Sequence, residues 1–295
     1  MLQAAQAAAG AQQYPAATLY IVATPIGNLA DLSLRAIQVL SLVDAVACED
    51  TRHSRSLLRH LGIDKPMLAL HEHNEREASA DVLARLAHGE RVAYVSDAGT
   101  PAVSDPGAAL VATARAAGHR CVPIPGASSA LAALSVAGDT QGQSFTFTGF
   151  LPPRGAERQS AVKAMMAQAG TQVLFEAPHR IESLCQALGL HGGTRPVTVC
   201  RELTKQFEAV STLPAEELTG WMAADPDRAR GEFVLVVHAL PPGQDEGDEG
   251  RHDTTLQVLL AELPLKQAVS IAATLTGAPR NALYARALAL KASVD

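Results

Sequence analysis

Short apolar runs rich in β-branched residues alternate with segments of helical period along most of the chain. "TLYIVA" (18–23), "DAVACE" (44–49), "MLAL" (67–70), "RVAYV" (91–95) and "RCVPI" (120–124) read as strands. Near-continuous apolar stretches of this length suit strands that are covered on both faces. Between them, 31–41 with Asp31 as N-cap, 51–61 closed by Gly62, 76–88 ending at Gly89, about 106–117 stopped by Gly118, and 127–137 carry helical spacing. Ser104 or Asp105 is placed to cap the 106–117 helix, with Pro106 as its first residue, where a missing N–H costs nothing. This β-α alternation predicts a mainly parallel sheet with helices on both faces.

After Gly138 the pattern changes. "SFTFTGF" (144–150) alternates, 155–168 is helical, "TQVLFE" (171–176) is a strand, and a helix follows at about 179–188. "PVTVCRE", "QFEAVSTL" and "GEFVLVVHA" are further strands around a helix at 214–224, in a hairpin-like neighbourhood that predicts a mixed sheet. Two or three short helices end the chain and fit either a helix-turn-helix reader or, more simply, a small bundle for docking or dimerisation. The organisation expected is a disordered Ala/Gln lead (1–17), an N-terminal α/β domain (18–140), a second α/β domain (141–240), an acidic linker (241–253) and a C-terminal helical domain (254–295). The fold class is α/β throughout, apart from that last part.

Charge changes the picture less than its total suggests. Of the net −6, the segment 241–253 accounts for −4, so the rest carries −2 and local basic clusters can dominate its surface. No run approaches 18 apolar residues, and the N-terminus lacks the basic and apolar regions of a signal peptide. The four cysteines are scattered with no C-x-x-C pair, as expected of small core residues in a reducing cytosol. A cytoplasmic protein without membrane spans is the expectation.

In an open parallel sheet, ligands collect beyond the carboxyl ends of the strands. The loops leaving those ends are "TPIGNLAD", "EDTRHSR", "HEHNERE", "SDAGTPAVSDPG" and "PGASSA". Neither G-x-G-x-x-G nor the P-loop is present. The fourth loop joins glycine to Asp97 and Asp105, and such acidity repels phosphate. Asp97, Gly99 and Thr100 suit a cationic, hydroxyl-bearing ligand, and S-adenosylmethionine is one, with its sulfonium, ammonium and ribose diol. "HEHNE" lacks the helical register of a metal-binding H-E-x-x-H, so no metal is expected. Ser128 and Ser129 lack a G-x-S-x-G context and read as a helix cap or ligand contacts. Arg52, Arg55 and Arg59 share one helical face, and Arg154, Arg158, Arg180 and Arg201 sit near the same sheet edges, together a track for a phosphate backbone.

"LYIVATPIGNLADLSLRAI", "CEDTRHSRSLL", "HEHN", "YVSDAGTPAVSDPG", "VPIPGASSALAAL", "FTGFLPPRGAER", "EAPHRI", "RELTK" and "RGEFVLVV" occur in that order between about 18 and 240. Together they resemble the tetrapyrrole (precorrin) methylase superfamily, in particular its branch that methylates small-subunit ribosomal RNA. The resemblance implies a homodimer of two α/β domains that binds S-adenosylmethionine in the cleft between them. It implies methylation of the ribose 2′-hydroxyl of a cytidine in the decoding region of 16S RNA, with the small ribosomal subunit as partner. Pro25, Gly27, Asp97, Ala98, Gly99, Thr100, Ser128 and Ser129 match cofactor-loop positions, and Glu176 and Leu203 would complete the cleft. Glu49, Asp50 and Glu202 follow strands at that cleft and are the candidate bases. The rival readings are a tetrapyrrole C-methyltransferase (precorrin or uroporphyrinogen) and a non-catalytic RNA-binding assembly factor.

Overall fold

The computed structural model describes residues 1–71, 74–241 and 252–292. β1 (Thr18–Val22), β2 (Ala45–Cys48), β3 (Met67–Ala69), β4 (Val92–Val95) and β5 (Arg120–Ile124) form a parallel sheet in the order β3-β2-β4-β1-β5. Helices α1 (Leu2–Ala9), α2 (Leu34–Leu42), α3 (Thr51–Leu61), α4 (Glu75–Ala87), α5 (Ala108–Ala116) and α6 (Ser129–Ala137) accompany it. All four residues of β2 and of β4 are buried, because both faces are covered. Tyr20, Val22, Val46 and Val95 pack with α1, α2 and α3 on one side. Leu19, Ala47, Val92 and Tyr94 pack with α4 and α5 on the other. The chain leaves β1 toward β2 and leaves β4 toward β5, on opposite sides of the β1/β4 pair. That is the switch point where open sheets of this kind form a crevice.

The second sheet contains β6 (Phe145–Phe150), β7 (Thr171–Glu176), β8 (Pro196–Arg201), β9 (Ala209–Pro214) and β10 (Phe233–Val237), ordered β6-β7-β10-β8-β9. Only β6 and β7 pair in parallel, so the sheet is mixed as the sequence predicts. Helices α7 (Gly155–Met166), α8 (Ile181–Gly192) and α9 (Leu218–Ala223) cover one face. The other face receives Ala130, Ala133 and Ala137 of α6 against Val173, Val234 and Val236. Residues Met1–Ala239 thus form one compact unit that holds both sheets. Leu240–Asp295 is a separate unit, in which α10 (Asp253–Glu262), α11 (Leu265–Thr276) and α12 (Arg280–Ala292) bury Leu256, Val269, Ala272 and Leu283. An Arg286–Asp253 ion pair of 2.6 Å ties the last helix to the first. Most of the expected acidic linker, 242–251, lies outside the described residues.

Three local expectations are corrected. The lead 1–17 is not disordered: α1 buries Ala5 and Ala9 in the first core. Gln38 Nε2 donates to Gln6 Oε1 (2.8 Å), and the Tyr14 and Tyr20 hydroxyls donate to the carbonyls of Ala9 and Pro15. Alanine side chains let α1 lie close on α2, a tertiary gain that local sequence does not display. Asp31 does not cap α2; Ser33 Oγ does, accepting from Ala36 N at 3.1 Å. Nor do Ser104 or Asp105 cap α5. Gly107 precedes that helix, and its amide and that of Leu110 donate to Glu75 Oε1 of α4, at 3.0 and 3.4 Å.

Candidate active site

The loops after β1 and β4 are tied to each other at the switch point. Thr24 N donates to Gly99 O (2.9 Å) and Gly99 N to Thr24 O (3.1 Å). Thr100 Oγ1 donates to Ala127 O at 3.0 Å, which joins the loop after β5 to the same assembly. A cavity of about 370 Å³ lies between these loops and the second sheet. Its apolar wall includes Ile26, Phe150, Phe175 and Leu203. Cys200 joins them, since burial pushes its thiol up to about 12 and leaves it an apolar group at neutral pH.

Seven of the expected cofactor residues line this cavity: Ala98, Gly99, Thr100, Ser128, Ser129, Glu176 and Leu203. Pro25, Gly27 and Asp97 stand off its wall. Asp97 Oδ1 instead accepts the Asp50 amide at 3.1 Å, which joins the ends of β2 and β4. Gly27 has φ +151 and lies against the Lys205 stem, where a Cβ would collide with Lys205 Cγ. Lys205 Nζ in turn bridges Glu202 Oε1 and Glu232 Oε2, each at 2.9 Å.

Backbone strain collects around the same space. Among the described residues five non-glycines have a left-handed φ, and four of them, Ala102, Ser104, Glu202 and Thr204, belong to the loops facing the cavity. Such conformations cost roughly 1–3 kcal/mol each and persist where the surroundings hold them. A bulge in β6 at Gly149 brings strand and loop together, since a Cβ there would sit 3.0 Å from Ser104 Oγ.

The three candidate bases have different fates. Asp50 is the N-cap of α3, accepting from Arg52 N at 2.8 Å, and it pairs with the Arg52 guanidinium at 2.7 Å. Those hydrogen bonds hold its carboxyl well below the ordinary range. Burial raises Glu202, yet hydrogen bonds from Lys205 and the Glu232 amide bring it below its ordinary value. Glu49 moves the other way, pushed up by burial and by the charges of Asp97 and Asp105.

The arginines also divide. Arg158 does not reach the surface: it is 3% exposed, with Nη2 on Glu176 Oε2 at 2.6 Å and Nη1 on Pro152 O at 3.2 Å. Arg180 Nε takes the other carboxylate oxygen at 2.6 Å, and its guanidinium lies 6.0 Å from the centre of the Phe150 ring. Glu176 is therefore a buried clamp between two arginines. Arg201 donates to the carbonyls of Asp227 and Arg230. Arg154 is exposed at the start of α7. Arg52, Arg55 and Arg59 line a shallow concavity of about 350 Å³ along α3, together with Thr51 and Ser56. The sequence reading did not place Asp105, Phe150 or Phe175 on the cavity wall. Asp105 was legible as a loop carboxylate, but Pro106 drew it toward a capping role.

No helix among the described residues is long and apolar enough to cross a membrane. No group of three or more metal-ligating side chains occurs among them either. Glu72 and His73 of "HEHNE" lie outside the described residues.

The two sheets and the crevice between them define a methylase of the tetrapyrrole type, and the family described as Tetrapyrrole (Corrin/Porphyrin) Methylases matches residues 18–219. Solved structures of the same fold include diphthine synthase (TM-score 0.59, 18% identity, covering 75% of this chain and 90% of that one). A cobalt precorrin-4 methyltransferase is another (TM-score 0.56, 17% identity, 75% and 95%). Much nearer in sequence are two proteins named Ribosomal RNA small subunit methyltransferase I. That of Pseudomonas aeruginosa is 48% identical over 92% of this chain and 97% of its own length. That of Escherichia coli is 46% identical over 92% and 94%. Residues 246–291 match the RsmI C-terminal HTH domain. The chain belongs to the ribosomal RNA small subunit methyltransferase I family.

Proposed function

We propose that the chain transfers a methyl group from S-adenosylmethionine to the ribose 2′-hydroxyl of a cytidine in the decoding region of 16S ribosomal RNA. The observation that carries this reading is the cavity at the switch point, bordered by the acidic glycine loop rather than a phosphate-binding one. Its volume of about 370 Å³ is that of a small-molecule site. The bound cofactor supplies an activated methyl on a sulfonium. The Ser128 side chain makes no capping hydrogen bond, which leaves its hydroxyl for a ligand, and Ser129 lies beside it on the wall. The apolar wall would keep water from the transferred methyl, and the loops tied at Thr24–Gly99 and Thr100–Ala127 would hold that wall in place.

Arg52, Arg55 and Arg59 on α3, with Arg154 on α7, hold phosphates on either side of the target nucleotide. That nucleotide is reached in a single-stranded or distorted segment, because A-form helices present mainly shape. The working form is a cytoplasmic homodimer. Leu131 and Val136 of α6 and Phe207 and Val210 nearby in the second half expose apolar side chains that a second copy would cover.

Tritiated S-adenosylmethionine incubated with small subunits, free RNA and a porphyrin precursor tests the reading. Nuclease digestion of the RNA should place the label in 2′-O-methylcytidine. Label in the porphyrin alone would sink the proposal.

A further inference from the structure

Phe150 is 55% exposed, yet it stands on the wall of the cavity. An aromatic ring left open to solvent beside a small-molecule site is surface for a ligand to cover. The bulge in β6 puts it there. In an unbroken strand Phe147 and Gly149 would share a face, and Phe150 would point the other way, toward α7 and α8. The register shift after Phe147, with Gly149 at φ +66, instead pairs Phe147 with Val173 and Phe150 with Phe175. Both rings therefore lie on the face that borders the cavity, a re-aiming of the kind bulges perform beside functional sites.

The ring is also braced. Phe175 meets it edge-on with centroids 5.6 Å apart, and Phe147 meets Phe175 in the same way at 5.0 Å. The Arg180 guanidinium, 6.0 Å from the ring centre, is itself held by Glu176 at 2.6 Å and by the Leu151 carbonyl at 3.4 Å. A flat face fixed in advance binds at little further entropic cost.

Two flat groups are candidates to cover it: the adenine of the cofactor and the base of the nucleotide being methylated. Placement favours the base. The expected cofactor residues come from the loops after β1, β4 and β5 and from Glu176 and Leu203; none belongs to β6, the edge strand of the second sheet. From Phe150 the chain runs through Leu151, Pro152 and Pro153 to the exposed Arg154 at the start of α7, one of the phosphate contacts proposed above. We infer that Phe150 stacks on the base of the target nucleotide, and so holds the attached ribose at the cavity. This rests on the 2′-O-methylation reading above. The ring serves the RNA, not the cofactor.

The test compares wild type with Phe150→Ala, Phe150→Leu and Phe150→Tyr on small subunits, reading 2′-O-methylcytidine formation, cofactor affinity by calorimetry and melting temperature. Phe150→Ala should lower kcat/KM for small subunits by about 10–100-fold, the size of one base–aromatic stack, with cofactor affinity within about threefold of wild type. Phe150→Leu keeps apolar bulk without a π-face and should stay low, whereas Phe150→Tyr should recover most of the rate. Undiminished kcat/KM in Phe150→Ala or Phe150→Leu would overturn the inference. So would a fall in cofactor affinity as large as the fall in rate, which would give the ring to the adenine. In each of these cases 2′-O-methylation would stand. A wild-type product methylated elsewhere would remove both.

Discussion

Glu75 Oε1 accepts the amide hydrogens of Gly107 and Leu110, so a carboxylate from α4 completes the N-terminus of α5. The arrangement sets a negative charge against the positive end of the helix dipole and frees the neighbouring Asp105 from capping. Glu75→Ala should destabilise the protein by about 1 kcal/mol. Thermal melts would show this as a drop of a few degrees, and cofactor affinity should fall as the 105–107 turn, which borders the cavity at Asp105, loosens.

Arg158 and Glu176 form an ion pair with side-chain exposures of 4% and 0%. Removing Glu176 strands the buried Arg158 guanidinium, and removing Arg158 leaves the buried Glu176 carboxylate with Arg180 alone. Arg158→Met or Glu176→Gln alone should each cost about 3–5 kcal/mol, and the double variant less than their sum. Urea unfolding of the four proteins checks this. The same result would separate Arg158 from the RNA contacts, since its loss should leave the salt dependence of RNA binding unchanged.

Alanine at Arg52, Arg55 and Arg59 should act oppositely. These side chains border the α3 concavity, off the wall of the cofactor cavity. Each substitution should weaken small-subunit binding and lower the slope of log affinity against log salt by about one. Cofactor binding by calorimetry should stay as it was.

Gly27→Ala should weaken cofactor binding without abolishing folding. The added methyl meets the Lys205 stem, and the backbone there has φ +151. Lys205→Ala in the same protein makes room for the methyl but leaves the backbone strain, so it should rescue only part of the affinity lost. Titration calorimetry on both variants decides.

Asp139 predicts an acid response. Burial disfavours its charge, but Thr171 Oγ1 (2.6 Å) and the amides of Ala239 and Gln141 outweigh that and lower its proton affinity. A carboxyl lowered on folding contributes stability that is complete above its unfolded value and fades as pH falls toward the folded one. Wild type should therefore lose stability with acid over that window, and Asp139→Asn should start lower and show a flatter profile. Denaturant midpoints measured across the acidic range would show either.

Much of the fold was legible because local rules sufficed. The helix 51–61 and its Gly62 stop were set by helical spacing and by a residue tolerant of φ +72, and β7 matched 171–176. The loops that border the cavity were legible for a similar reason, since glycines and an acid at a strand end are a local signature. What escaped depended on distant partners. Glu75 caps a helix 32 residues away, and Arg158 finds Glu176 across 18 residues. Neither is visible to spacing rules, so Asp105 read as a cap and Arg158 as a surface charge. Asp50 is different: an N-cap two residues before an arginine is readable locally.

Helix α6 follows the last strand of the first sheet, yet Ala130, Ala133 and Ala137 pack on the second. A gene fragment ending near residue 140 would encode a helix whose apolar stripe has lost its counterpart. One beginning there would encode a sheet bare on one side. The two halves are thus poor candidates for separate expression or for shuffling between relatives, and lineages that exchange one half should be found to carry α6 along with the second.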